Sequence, residues 1–170
     1  MSARTAGAES VDDRPPILSA GLAVMAAVLS TLSALAGGSG AAVCLLGTAL
    51  VATGVGSRRR WAVHAGTVGL VTGLLIAGVA GAPASLLLPG LAAAVLAWDL
   101  GQYSLELGEQ VGRRAATTGA EVSHAAGSTL VAVLAVLTGI LAPRAIEMGG
   151  TVTAAAFMLV AILLLGALFR

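Results

Sequence analysis

Four residues combine chemistry with a position at the edge of a long apolar run: His64, Asp99, Glu121 and His124. Glu121 and His124 are three apart, and on a helix that spacing turns a carboxylate and an imidazole toward one face, as in the metal sites of helix-bundle cores. Such a site needs a second pair of the same kind and more carboxylates. Here there is one copy, with His64 and Asp99 as the only obvious additions. Interfacial hydrogen bonding and local pairing are the simpler expectation, so the sequence predicts no metal site, no cofactor and no catalytic residue. No P-loop, nucleophile elbow or HExxH motif occurs. Cys44 is the single cysteine, which excludes an intrachain disulfide; within its apolar run it reads as a small buried hydrophobe.

The elements that must position these residues follow from composition. Of 170 residues 58% are hydrophobic, 10% charged and 3% aromatic, with a mean hydropathy of +0.98. Ordinary soluble domains carry about 25% charged residues, so this is the composition of an integral membrane protein. Residues 15–57 and 61–98 are uncharged runs of 43 and 38 residues. About 20 residues cross the bilayer as a helix, so each run holds two spans. Gly37-Gly38-Ser39-Gly40 breaks the first run and Gly81-Ala82-Pro83 the second. Two further uncharged runs, 122–143 and 148–169, are one span long each and are separated around Arg144 and Glu147.

The expected fold is therefore all-α: a polytopic membrane helix bundle of about six transmembrane helices arranged as three hairpins. The spans are placed at 17–36, 41–56, 62–81, 84–98, 124–142 and 150–169, in a single membrane domain covering 17–170. Residues 1–16 form a disordered cytoplasmic tail. Pro89 kinks the fourth span, which then needs neighbours to satisfy the freed carbonyl and so belongs inside the bundle. With the N-terminus cytoplasmic, eight of the nine arginines fall on the inner side and only Arg144 on the outer, which agrees with the positive-inside rule and places both termini cytoplasmic in a cell membrane. The competing account has a signal peptidase cut at Ala34-Leu35-Ala36, but the preceding segment is net negative and lacks a basic n-region.

Residues 99–123 are expected as a cytoplasmic loop. Within it Leu100, Tyr103, Leu107 and Val111 recur at helical spacing, the pattern of an amphipathic helix on the membrane surface. Asp99, Glu109, Arg113, Glu121 and His124 are the candidate partner-docking residues, with Glu109 and Arg113 spaced as an i,i+4 pair. Arg58, Arg59 and Arg60 are a topology anchor that attracts lipid headgroups. Gly66, Gly69, Gly73, Ala77 and Gly81 carry small-xxx-small spacing, read as an intramolecular packing face, with a homo-oligomer seam as the alternative. Hydroxyls such as Thr31, Thr53, Thr67 and Thr138 can bond back to their own helix.

The stretches Trp98-Asp99-Leu100-Gly101, Gly108-Glu109-Gln110-Val111-Gly112-Arg113 and Ala120-Glu121-Val122-Ser123-His124-Ala125-Ala126-Gly127-Ser128 resemble an uncharacterised family of haloarchaeal multi-pass membrane proteins. The resemblance implies an archaeal membrane protein of unknown role, working with membrane-associated MoxR-type ATPase and von Willebrand-like partners. The expected function is a non-enzymatic integral membrane subunit or scaffold whose loop docks a cytoplasmic or membrane-associated protein, with no nucleic-acid partner. The alternative is a small transporter or channel for a neutral or weakly polar solute.

Overall fold

A computed structural model describes residues 16–35, 38–111 and 118–149, and all regular structure there is helical: α1 (Ile17–Ala34), α2 (Ala41–Gly56), α3 (Arg60–Val79), α4 (Ala84–Val111) and α5 (Thr118–Gly149). The expected sixth span, Arg113 and residues 1–15 of the tail lie outside the described residues. All helices but α2 are long and apolar enough to cross a membrane. At 1.5 Å per residue the 16 residues of α2 reach only about 24 Å, less than the roughly 30 Å hydrocarbon core.

The turns form where glycine permits them. After α3, Gly81 takes φ 95° and the amides of Gly81 and Ala82 bond the carbonyls of Gly78 and Ala77. This is a Schellman closure, followed by Pro83, which cannot extend the helix. The same closure ends α2, where Arg58 and Arg59 bond Val55 and Gly54. There the left-handed position is held by Arg58 at φ 59°, a conformation costing a non-glycine residue about 1 kcal/mol.

Small residues make up much of the interior, around Val51, Val63, Leu70 and Leu74, and many large aliphatics lie outside. Ala23, Ala27, Ala34, Ala77, Ala94 and Ala97 are fully buried, whereas Met25, Leu46, Val68, Leu75 and Val79 are exposed. A water-soluble core would bury the large side chains. Where lipid is the solvent, helices associate by close backbone approach and large aliphatics face the acyl chains. Length, hydropathy and the many large aliphatics left on the outside mark the chain as a membrane protein.

The most extensive helix pairings are α2 with α3 and α1 with α4, rather than the expected sequential hairpins. In the first, Gly66 and Gly73 pack on α2, and a Cβ added at Gly47 would lie 2.7 Å from the Gly66 carbonyl oxygen. The glycine stripe of α3 thus serves intramolecular packing. Cys44 is buried in the same seam, with its thiol on the Leu70 carbonyl at 3.4 Å. In the second pairing, Ser19, Ala23, Ala26 and Ser30 of α1 and Gly90, Ala94, Ala97, Gly101, Ser104 and Gly108 of α4 are buried at intervals mostly of three and four. That is the repeat of a coiled-coil seam, made here from small residues. Thr31, Thr53, Thr67 and Thr138 donate to carbonyls four residues back, as expected, while Thr48 reaches across to the Ala27 carbonyl of α1.

Two boundaries differ from expectation. The fourth span does not stop at Asp99: α4 continues to Val111, and the expected loop 99–123 is helical on both sides of residues 112–117. The segment does not form a separate surface helix, because Leu100 and Leu105 are buried, Leu105 among Val55 and Val63 at the α2–α3 corner. Likewise α5 runs through Pro143 to Gly149 in place of a break there. An interior proline removes the donor to the Gly139 carbonyl and crowds that carbonyl, a cost that membrane helices tolerate. Arg144 donates to the neighbouring Ile140 carbonyl at 3.5 Å.

Candidate functional site

Polar side chains gather at one end of the bundle, the arginine side, where α1, α3 and α5 begin and α2 and α4 end. On α4, Leu96, Asp99 and Tyr103 follow at i, i+3 and i+7, one helical face. On α5, Glu121, His124 and Ser128 do the same, and the two rows meet. Oδ2 of Asp99 accepts hydrogen bonds from Nε2 of His124 at 2.9 Å and from the Ser128 hydroxyl at 2.6 Å. Tyr103 stacks on the His124 ring with centroids 3.9 Å apart and planes inclined by 12°.

One turn earlier on α5, Glu121 is buried against α1. Its Oε2 accepts from both the backbone amide and the hydroxyl of Ser19, at 2.9 and 2.7 Å. Ser19 is the third residue of α1, whose N-cap, Pro16, supplies no side-chain bond. The first turn of a helix has amides without internal acceptors and carries partial positive charge. Glu121 therefore caps α1 from another helix, and that partnership allows a carboxylate 3% exposed to exist there.

Asp99 is the sixteenth residue of α4, about 22 Å from the helix start, and lies in the apolar stretch rather than beyond it. An ionisable group on so apolar a helix needs partners. His124 and Ser128 supply them.

Among the described residues, the Asp99 set does not pair its serine with its histidine. A serine activated by histidine must bond that histidine, whereas Ser128 and His124 both donate to the same Asp99 oxygen. Among the described residues no three of His, Cys, Asp and Glu are placed to hold a metal ion.

The remaining predicted residues lie elsewhere. Glu109 is exposed and pairs with Arg60 at 2.9 Å, while Glu106 meets the same guanidinium at 3.4 Å. Glu109 thus engages the arginine corner, and its expected partner Arg113 lies outside the described residues. His64 accepts a bond from the Trp98 indole at 3.0 Å on its Nδ1. Of the docking candidates, Asp99, Glu121 and His124 come together, facing inward.

The model of a family of unknown function, DUF7519, matches residues 13–166. The chain belongs to the DUF7519 family. An uncharacterised family is what the sequence resemblance implied. No curated protein and no solved structure matches the chain.

In this DUF7519 member, sequence reasoning overlooked Ser128, Ser19 and the stacking role of Tyr103. Ser128 was within reach, being four residues after His124 and seven after Glu121. Ser19 was not, because nothing local links it to a residue 102 positions away.

Proposed function

We propose that this DUF7519 chain is a non-enzymatic integral membrane subunit with six spans, residues 150–169 forming the last, and with both termini cytoplasmic. Its arginine side docks a cytoplasmic or membrane-associated protein. The observation that supports this most is the length of α4. Its 28 residues reach about 42 Å, so roughly 12 Å stands beyond the hydrocarbon. Glu106, Glu109 and Gln110 are exposed on this projection, with Arg58 and Arg59 exposed at the neighbouring corner. Asp99, Glu121 and His124 belong to the scaffold behind that surface. The archaeal origin and ATPase-type partners implied by the resemblance belong to the same reading.

Two experiments test it. Purification in mild detergent from the native membrane, followed by mass spectrometry, should recover a stoichiometric partner that Glu106→Ala with Glu109→Ala loses. An unchanged set of associated proteins would defeat the docking surface. For orientation, a thiol placed at Ser57 should react only from the cytoplasmic side and one at Ala82 only from the opposite side. The reverse pattern would invert the topology.

The transporter reading has one observation on its side, a crevice of about 270 Å³ between α4 and α5 beside Pro89. Flux of a neutral solute into liposomes, lost in Pro89→Ala, would favour it.

A further inference from the structure

The far end of the bundle, opposite the arginines, is stepped. Gly40, the N-cap of α2, packs on Gly73 and Ala77 of α3, where an added Cβ would stand 3.0 Å from the Ala77 nitrogen. Beyond Ala77 the chain of α3 and its closing turn reach Gly81, about 6 Å further on. The other large pairing gives the same register. An added Cβ at Gly90 of α4 would stand 2.6 Å from the Ser33 Cβ of α1. Helix α1 ends one residue later at Ala34, whereas α4 extends outward from Gly90 to its start at Ala84, roughly 9 Å. The α1–α2 hairpin therefore stops short of the α3–α4 hairpin. The step leaves a recess of about 390 Å³, lined by Ser39 and by Thr72, Leu75, Ile76, Val79 and Ala80 of α3.

A recessed turn is costly in lipid. Gly38 and Ser39 are exposed, and the N-cap of α2 gives its first amides no side-chain bond. These polar groups need water or headgroups, which hydrocarbon does not supply. Moving the bundle cannot deliver them. At about 24 Å, α2 does not reach both surfaces of a hydrocarbon layer of about 30 Å, and tilting shortens its reach further. The arginine end is held at its own surface by exposed Arg58 and Arg59, and by Arg60 tying α3 to Glu106 and Glu109 of α4. The mismatch falls on the far end, where Gly38, Ser39 and Gly40 have no long side chain to snorkel outward.

We infer that the bilayer is thinned beside α1 and α2, the leaflet opposite the arginines dipping by about 6 Å so that phospholipid headgroups enter the recess at Ser39. The polar turn meets the headgroups, and the apolar wall from Leu75 to Val79 meets the upper acyl carbons. The partner of this face is the lipid itself, drawn in by a helix too short for the membrane. The dip exists whether or not a protein docks on the arginine side.

The test is the depth of a spin label on the full chain in liposomes of dioleoylphosphatidylcholine, read from its collisions with a water-soluble nickel complex and with oxygen. One label replaces Ser39 through Ser39→Cys and the other Leu86 through Leu86→Cys. Both positions are exposed, and fully buried Cys44 stays unlabelled. Leu86 stands at a comparable height on the α4 side, since Gly78 packs on the neighbouring Leu87. The Ser39 label should meet the nickel complex several-fold more often than the Leu86 label. In thinner bilayers of dimyristoylphosphatidylcholine the ratio should fall toward one, because the whole membrane then approaches the length of α2. Equal collisions in the dioleoyl lipid would mean a flat leaflet and overturn the inference. A ratio that is the same in both lipids would also overturn it. So would a Ser39 label shielded from nickel and oxygen alike, which would show protein over the turn in place of lipid.

Discussion

The α2–α3 seam and the α4–α5 seam solve the same problem in opposite ways. The first closes because Gly47, Gly54, Gly66 and Gly73 let backbone meet backbone, and it has few polar side-chain bonds. The second keeps an apolar gap and is held at one end by Asp99, His124 and Ser128, with Glu121 reaching on to α1. In a bilayer hydrophobic burial does not drive helices together, so contact must come from dispersion at close range or from polar groups that lipid cannot satisfy. Dispersion acts along a whole seam, whereas a polar clasp is local and is lost with a single side chain.

The contrast can be broken most forcefully at Gly47. A side chain there would stand 2.7 Å from the Gly66 carbonyl oxygen and 2.8 Å from the Leu70 amide nitrogen, both backbone atoms that cannot rotate away. Gly47→Val should cost about 3 kcal/mol or more, beyond the usual overpacking penalty, and separate α2 from α3. Thermal unfolding in detergent measures this, and Gly21→Ala, with open space around it, is the control expected to leave stability unchanged.

Glu121→Ala comes next. It leaves the first turn of α1 without its acceptor and buries the Ser19 hydroxyl unpaired, a loss of about 2 kcal/mol on the scale of hydrogen bonds to charged groups. Glu121→Gln should lose less, since an amide oxygen can still accept from the Ser19 amide. Equal losses in the two variants would show that the capping bond is not what matters.

The smallest effect is expected at Arg60. Its pairs with Glu106 and Glu109 are exposed, and such pairs contribute less than about 1 kcal/mol. Arg60→Ala should barely move the unfolding temperature, and what it does should fade in high salt.

The legible parts of the fold were those fixed by local chemistry. The glycine turns at Gly38 and Gly81 fall where the sequence places them, because a left-handed residue and a following proline are local requirements. Asp99 misled for the opposite reason. A charge at the end of an apolar run reads as the end of a helix, but its partners His124 and Ser128 are 25 and 29 residues away on another helix, and α4 continues past it to Val111. Arg144 and Glu147 misled in the same way, since two charges between uncharged runs read as a break whereas α5 continues through them to Gly149. In the site, the Glu121 and His124 spacing was legible as one face. It could not be known that the two residues would serve different neighbours, α1 and α4.

The central claim is that α5 is held by its polar clasp while α2 and α3 are held by packing. Hydrogen–deuterium exchange resolved along the chain in nanodiscs tests it most directly, comparing the natural sequence with the double variant Asp99→Asn, Glu121→Gln. The account predicts faster amide exchange through α5 and the first turn of α1, with α2 and α3 as protected as before. Uniform loss of protection across the five described helices, or no change in α5, would contradict it.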